Sequence, residues 1–73
     1  MSDSVLLSFE KNIATLTLNR PEVHNAFNAV MIERIAASFD DIALRNDIDV
    51  VILRGEGKSF SAGADLNWMK ESI

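Results

Sequence analysis

Four consecutive apolar residues, Val50-Val51-Ile52-Leu53, stand late in a chain of 73 residues. A short apolar run rich in β-branched side chains predicts a strand, and one with no polar position predicts a strand covered on both faces, because a half-exposed strand alternates. Residues 50–53 are therefore expected to form a central strand. Two faces cannot be buried against a single element, and only one full-length helix is legible elsewhere in the chain. By area scaling, a chain this short buries only about 60% of its extended surface, close to the lower limit for independent folding. It has no cysteine, so neither a disulfide nor a thiolate metal site can stiffen it. The expectation for residues 1–73 is the N-terminal fragment of a single core domain, with no complete domain present.

Ahead of that strand, Val5-Leu6-Leu7-Ser8-Phe9 and Ile13-Ala14-Thr15-Leu16-Thr17-Leu18 are two runs of β-formers separated by Glu10-Lys11-Asn12. They predict a β-hairpin, with Asn12 as the residue able to turn left-handed. Ala14, Leu16 and Leu18 share one face of the second strand. Pro21 ends it, since proline lacks an amide proton and biases Arg20 away from helix. A loop then runs to about Phe27. Asn28 is suited to cap a helix over about residues 28–46, with Ile32, Ile35, Ala36, Phe39, Ile42 and Ala43 forming its apolar stripe. Arg45 favours the helix C-terminus, and Asn46 is a candidate left-handed cap. After residues 50–53, Gly55-Glu56-Gly57-Lys58 turns the chain and residues 59–63 form a loop of mostly small residues. Asp65 is placed to cap a last helix from about Leu66.

Charge and composition exclude several roles. Seven Lys+Arg against eleven Asp+Glu give a net charge of −4, which removes the electrostatic basis for general nucleic-acid binding. The N-terminus carries no basic stretch before its apolar run, and no apolar segment approaches the length of a membrane span, so a cytoplasmic protein is expected. A 48% hydrophobic content argues against disorder.

The stretch Phe60-Ser61-Ala62-Gly63-Ala64-Asp65 is the best candidate for chemistry. It follows an apolar strand and leads into a predicted helix start, where backbone amides are unpaired and the dipole favours negative charge. Small side chains admit a ligand close to the backbone, so the Ala62 N–H is a candidate donor to a carbonyl oxygen that is becoming an oxyanion. The alternative is that small residues simply permit tight packing there. Gly57-Lys58-Ser59 lacks the spacing of a phosphate-binding loop, because Ile52 stands where the first glycine is required. No serine sits in a nucleophile elbow. His24, the only histidine, is either a base or a hydrogen-bonding surface residue; Lys58 is either an anion-binding cation or a solvated turn lysine. Asp65 suits a cap better than an acid or base. Trp68 and Met69 suit an apolar ligand, the core or a subunit contact. No cluster of His, Asp and Glu has metal-ligand spacing.

In order and separation, Asn19-Arg20-Pro21, Asn25-Ala26-Phe27, the strand at 50–53, Gly55-Glu56-Gly57 and Phe60-Ser61-Ala62-Gly63-Ala64-Asp65-Leu66 resemble the crotonase (enoyl-CoA hydratase/isomerase) superfamily over essentially the whole chain. The run from Phe60 to Lys70, with Asn67-Trp68-Met69, is also similar to hydratases of the methylglutaconyl-CoA type. The resemblance implies an α/β fold, the first part of a ClpP-like ββα spiral: a β-hairpin, a helix, a buried strand and the start of a further helix. It implies an acyl-CoA thioester ligand, with coenzyme A as part of the substrate and no tightly bound cofactor. It also implies assembly of the full-length protein as a trimer or dimer of trimers. Under it, the Ala62 amide is one of two oxyanion-hole donors, Ala62, Gly63, Ala64, Asp65 and Leu66 line the CoA site, and Val23 and His24 lie beside the CoA. His24, Arg20 and Lys58 are the candidate cations for its phosphates.

The resemblance also places the second oxyanion amide and the two acid/base glutamates of the hydratases in later segments. Glu56 and Glu71 do not stand in matching positions. The resemblance thus implies the N-terminal portion of a hydro-lyase that adds water to an α,β-unsaturated acyl-CoA in fatty-acid or branched-chain catabolism, inactive as 73 residues alone. Enoyl-CoA isomerases and hydrolases share this opening segment, and a non-catalytic CoA-binding or assembly module is the competing class.

Overall fold

The computed structural model describes residues 3–63. Its elements are β1 (Val5–Glu10), β2 (Ile13–Leu18), a 3-10 turn (Pro21–Val23), α1 (Ala29–Ala43) and β3 (Val50–Gly55). The predicted hairpin forms: β1 and β2 pair antiparallel, from Val5 opposite Leu18 to Glu10 opposite Ile13. The left-handed turn residue is Lys11, with φ 55°, and not Asn12. Asn12 is used elsewhere. Its carbonyl accepts from the amides of Asp49 and Val50, and its side chain donates to Asp49 at 3.0 Å, so it fixes the start of β3.

β3 pairs with β2 in parallel, from Ile13 opposite Val50 to Leu18 opposite Gly55, and α1 is the crossover between them. A parallel pair needs such a connection, since a tight turn can join only antiparallel neighbours. On the helix side of the sheet, Ala14, Leu16 and Leu18 are buried as their alternation predicts, and Val5, Leu16, Leu18 and Met31 form the core with Leu7, Phe27 and Ile35 against it.

Asn28 caps α1 as expected, its side-chain oxygen accepting from the Met31 amide at 2.9 Å. The helix ends at Ala43, three residues before the expected end, with Leu44 as a right-handed cap whose amide donates to Asp40. Asn46 is not left-handed. Arg45 lies beyond the helix, with its guanidinium over the Phe9 ring at 4.0 Å and 3.4–3.5 Å from the Asp47 carboxylate. That hydrogen bond from Arg45 holds the exposed Asp47 carboxyl below the usual carboxylate range. The buried stripe also differs from the expected one. Met31 is fully buried and Ile42 nearly so, Ile35 and Ser38 are half-buried between them, and Ile32 and Phe39 stay largely exposed.

The largest correction concerns β3. Among the described residues it is an edge strand and not a central one, and Val50, Val51, Ile52 and Leu53 are each 43–46% exposed. The cause is the shortage of layers inferred from the sequence. α1 packs on β1 and β2, and among the described residues no second layer covers β3. The predicted helix from Leu66 lies outside the described residues, as do Asp65, Trp68 and Met69.

Candidate functional site

Two loops meet where β2 and β3 end side by side: residues 19–28 leave β2 toward α1, and residues 56–63 leave β3. Pro21 begins the first with its ring pre-set for the 3-10 turn. Two successive non-glycine residues, His24 (φ 52°) and Asn25 (φ 56°), then adopt left-handed backbone. Asparagine and histidine tolerate that region better than most non-glycine residues, yet each still costs on the order of 1 kcal/mol there. The strained corner is held because its groups have many partners.

Asn25 is the centre of that holding. It is fully buried, and its carboxamide nitrogen donates to the carbonyls of Glu56 and Ser59, both at 2.9 Å. Its side-chain oxygen accepts from the Arg20 amide at 2.7 Å, and its backbone amide donates to the Arg20 carbonyl at 2.8 Å. The Ser61 hydroxyl donates to the Asn25 carbonyl at 2.9 Å and accepts from the Gly63 amide at 3.1 Å. A last bond, Phe27 N–H to Gly63 O at 2.7 Å, ties the two loops again at the foot of α1.

The close approach of these loops explains two glycines. A Cβ on Gly55 would stand 2.5 Å from the Phe60 carbonyl oxygen and 2.9 Å from the Asn25 carboxamide nitrogen. Gly57 has φ 83° and lies against the Pro21 ring.

Of the candidate residues, the structure joins His24 to Ala62, the neighbour of Gly63, through a backbone hydrogen bond, with Val23 ending the 3-10 turn at the surface just before His24. Ala64, Asp65 and Leu66 lie outside the described residues. The Ala62 amide differs from expectation in one respect. It is not unpaired but donates to the His24 carbonyl at 2.9 Å, because the left-handed corner turns that oxygen toward the loop. Among the three candidate cations, Arg20 is half-buried with its guanidinium on the Ala26 carbonyl at 2.6 Å. His24 and Lys58 are exposed on the outer surface of the loops, where the His24 Nδ1 stands 3.3 Å from the Ser59 hydroxyl. The carboxylate of Glu56 pairs with Arg54 at 3.2 Å. No group of three or more His, Asp and Glu that could hold a metal is found among the described residues.

Beside the loops lies a cavity of about 260 Å³, lined by Leu18, Phe27, Ile32, Ile35, Leu53 and Phe60. Its walls are apolar, so it has no side chain to orient a carbonyl or a phosphate. The polar groups of the site belong to the loops. Asn25 and Ser61 stand in motifs that carry the family resemblance, but sequence reasoning assigns neither them nor Ser59 a role at the site. Their partners are mostly backbone groups, which no residue pattern announces.

The model of the enoyl-CoA hydratase/isomerase family matches residues 8–73. Trans-2-decenoyl-[acyl-carrier-protein] isomerase of Streptococcus mutans is 40% identical over 70 residues, covering 94% of this chain and 26% of that protein. Small ribosomal subunit protein mS47 of Schizosaccharomyces pombe is 40% identical over 72 residues, 99% of this chain and 17% of that protein. In a crystal structure of an enoyl-CoA hydratase from Mycobacterium tuberculosis, 32% of the chain superimposes on 97% of this one with TM-score 0.88 and 41% identity. This chain belongs to the enoyl-CoA hydratase/isomerase family and has the fold of the N-terminal part of the crotonases. It spans about a quarter or less of the length of these two curated relatives. No helix among the described residues is long and apolar enough to cross a membrane.

Proposed function

We propose that this chain is the N-terminal portion of an enoyl-CoA hydratase-type enzyme, which adds water to an α,β-unsaturated acyl-CoA. It supplies one oxyanion-hole amide, that of Ala62, and part of the CoA site. The observation that carries this reading is the loop 59–63, held on the His24–Asn25 corner with Ala62 exposed, in a chain whose family membership spans that loop. Val23, His24 and Gly63 flank the amide, and Ala64, Asp65 and Leu66 continue the CoA-lining segment. His24 and Lys58 are the cations suited to meet phosphate. Arg20 serves the loop itself.

To act on a thioester, the Ala62 amide must exchange the His24 carbonyl for the thioester oxygen. Both acceptors are neutral carbonyls in the ground state, so little is gained by the exchange at that stage. As the enolate forms, charge builds on the thioester oxygen alone, and charged acceptors make hydrogen bonds about twice as strong as neutral ones. The exchange therefore becomes favourable as the transition state is approached, which is what catalysis by differential binding requires. Hydration also needs a positioned water and a proton donor. In this proposal, later glutamates of the full-length enzyme supply them, together with a second oxyanion amide. The complete enzyme is a cytoplasmic trimer or dimer of trimers, and the 73 residues alone are inactive.

Titrating acetoacetyl-CoA into the ¹⁵N-labelled chain tests the assignment. The expected result is movement of the Ala62 and Gly63 amide resonances, with crotonyl-CoA left unhydrated by the same preparation. Binding that leaves the Ala62 amide unmoved would remove it as the donor. Hydration by the chain alone would show that the later glutamates are dispensable.

The likeness to a ribosomal subunit protein favours a second reading, a non-catalytic assembly module built on the same segment. Failure of any CoA thioester to perturb residues 23–24 and 62–63 is the outcome that reading expects. Isomerase or hydrolase chemistry on the same donor is distinguished by the products of the full-length enzyme.

A further inference from the structure

We draw no further inference here: the strongest candidate, the apolar cavity between α1 and the exposed edge strand β3, lined by Leu18, Phe27, Ile32, Ile35, Leu53 and Phe60, is an unpartnered face, and nothing among the described residues shows what covers it.

Discussion

Gly55 shows how little freedom single positions have where the two loops cross. A methyl group there meets the backbone oxygen of Phe60, which cannot swing aside as a side-chain tip could. Gly55→Ala is expected to destabilise the chain by about 2 kcal/mol, in the range of overpacked sites, and to shift the Ala62 resonance; urea denaturation and amide spectra check both. At this scale the sequence is informative about residue type and silent about partners. A small-residue loop and an isolated histidine are visible in it, and both lie at the site. The role of Asn25 is not, because its acceptors are the carbonyls of Glu56 and Ser59, and a backbone carbonyl has no sequence signature. The occupied state of the Ala62 amide is hidden for the same reason. An amide at a loop end is unpaired only if no other backbone reaches it.

Among the elements, α1 divides legible from illegible features most clearly. Its cap at Asn28 is readable because capping is local chemistry between residues three apart. Its buried face is readable only to within a fraction of a turn. The apolar band around Ile32, Ile35, Phe39 and Ile42 is wider than the sheet beneath it, so the sheet takes Met31, Ile35 and Ile42 while Ile32 borders the cavity and Phe39 faces outward. Met31→Ala is therefore expected to cost about 2 to 5 kcal/mol and Phe39→Ala less than about 1 kcal/mol, despite the larger side chain, when both are measured by thermal or urea unfolding. A smaller effect at Met31 than at Phe39 would show that the helix is rotated from this orientation. Just beyond the early end of α1, Arg45 stacks on Phe9, a contact between distant segments that no helix-propensity argument contains.

For the whole molecule, the apolar run that predicts a doubly covered strand marks the place where, among the described residues, cover is lacking. The hydrophobicity of Val50 to Leu53 is legible, and so is the need for more layers than one helix supplies. Which side of β2 the strand occupies is not, because sheet order depends on the crossover through α1. An edge strand of this composition, next to an apolar cavity, is the kind of surface that associates nonspecifically in water. The 73-residue chain is expected to show sedimentation coefficients that rise with concentration and to bind the dye ANS. Concentration-independent monomer behaviour without dye binding would contradict the exposure of β3. The parallel register also orders events in time. The ties from Asn25 to the opposite loop span 31 to 36 residues, so none can close until the hairpin, the helix and β3 have come together. Closing long loops costs entropy that is recovered only on contact. The candidate site is thus expected to be the last part of the chain to assemble and the first to open, so that its occupancy at any instant reports whether β3 is docked.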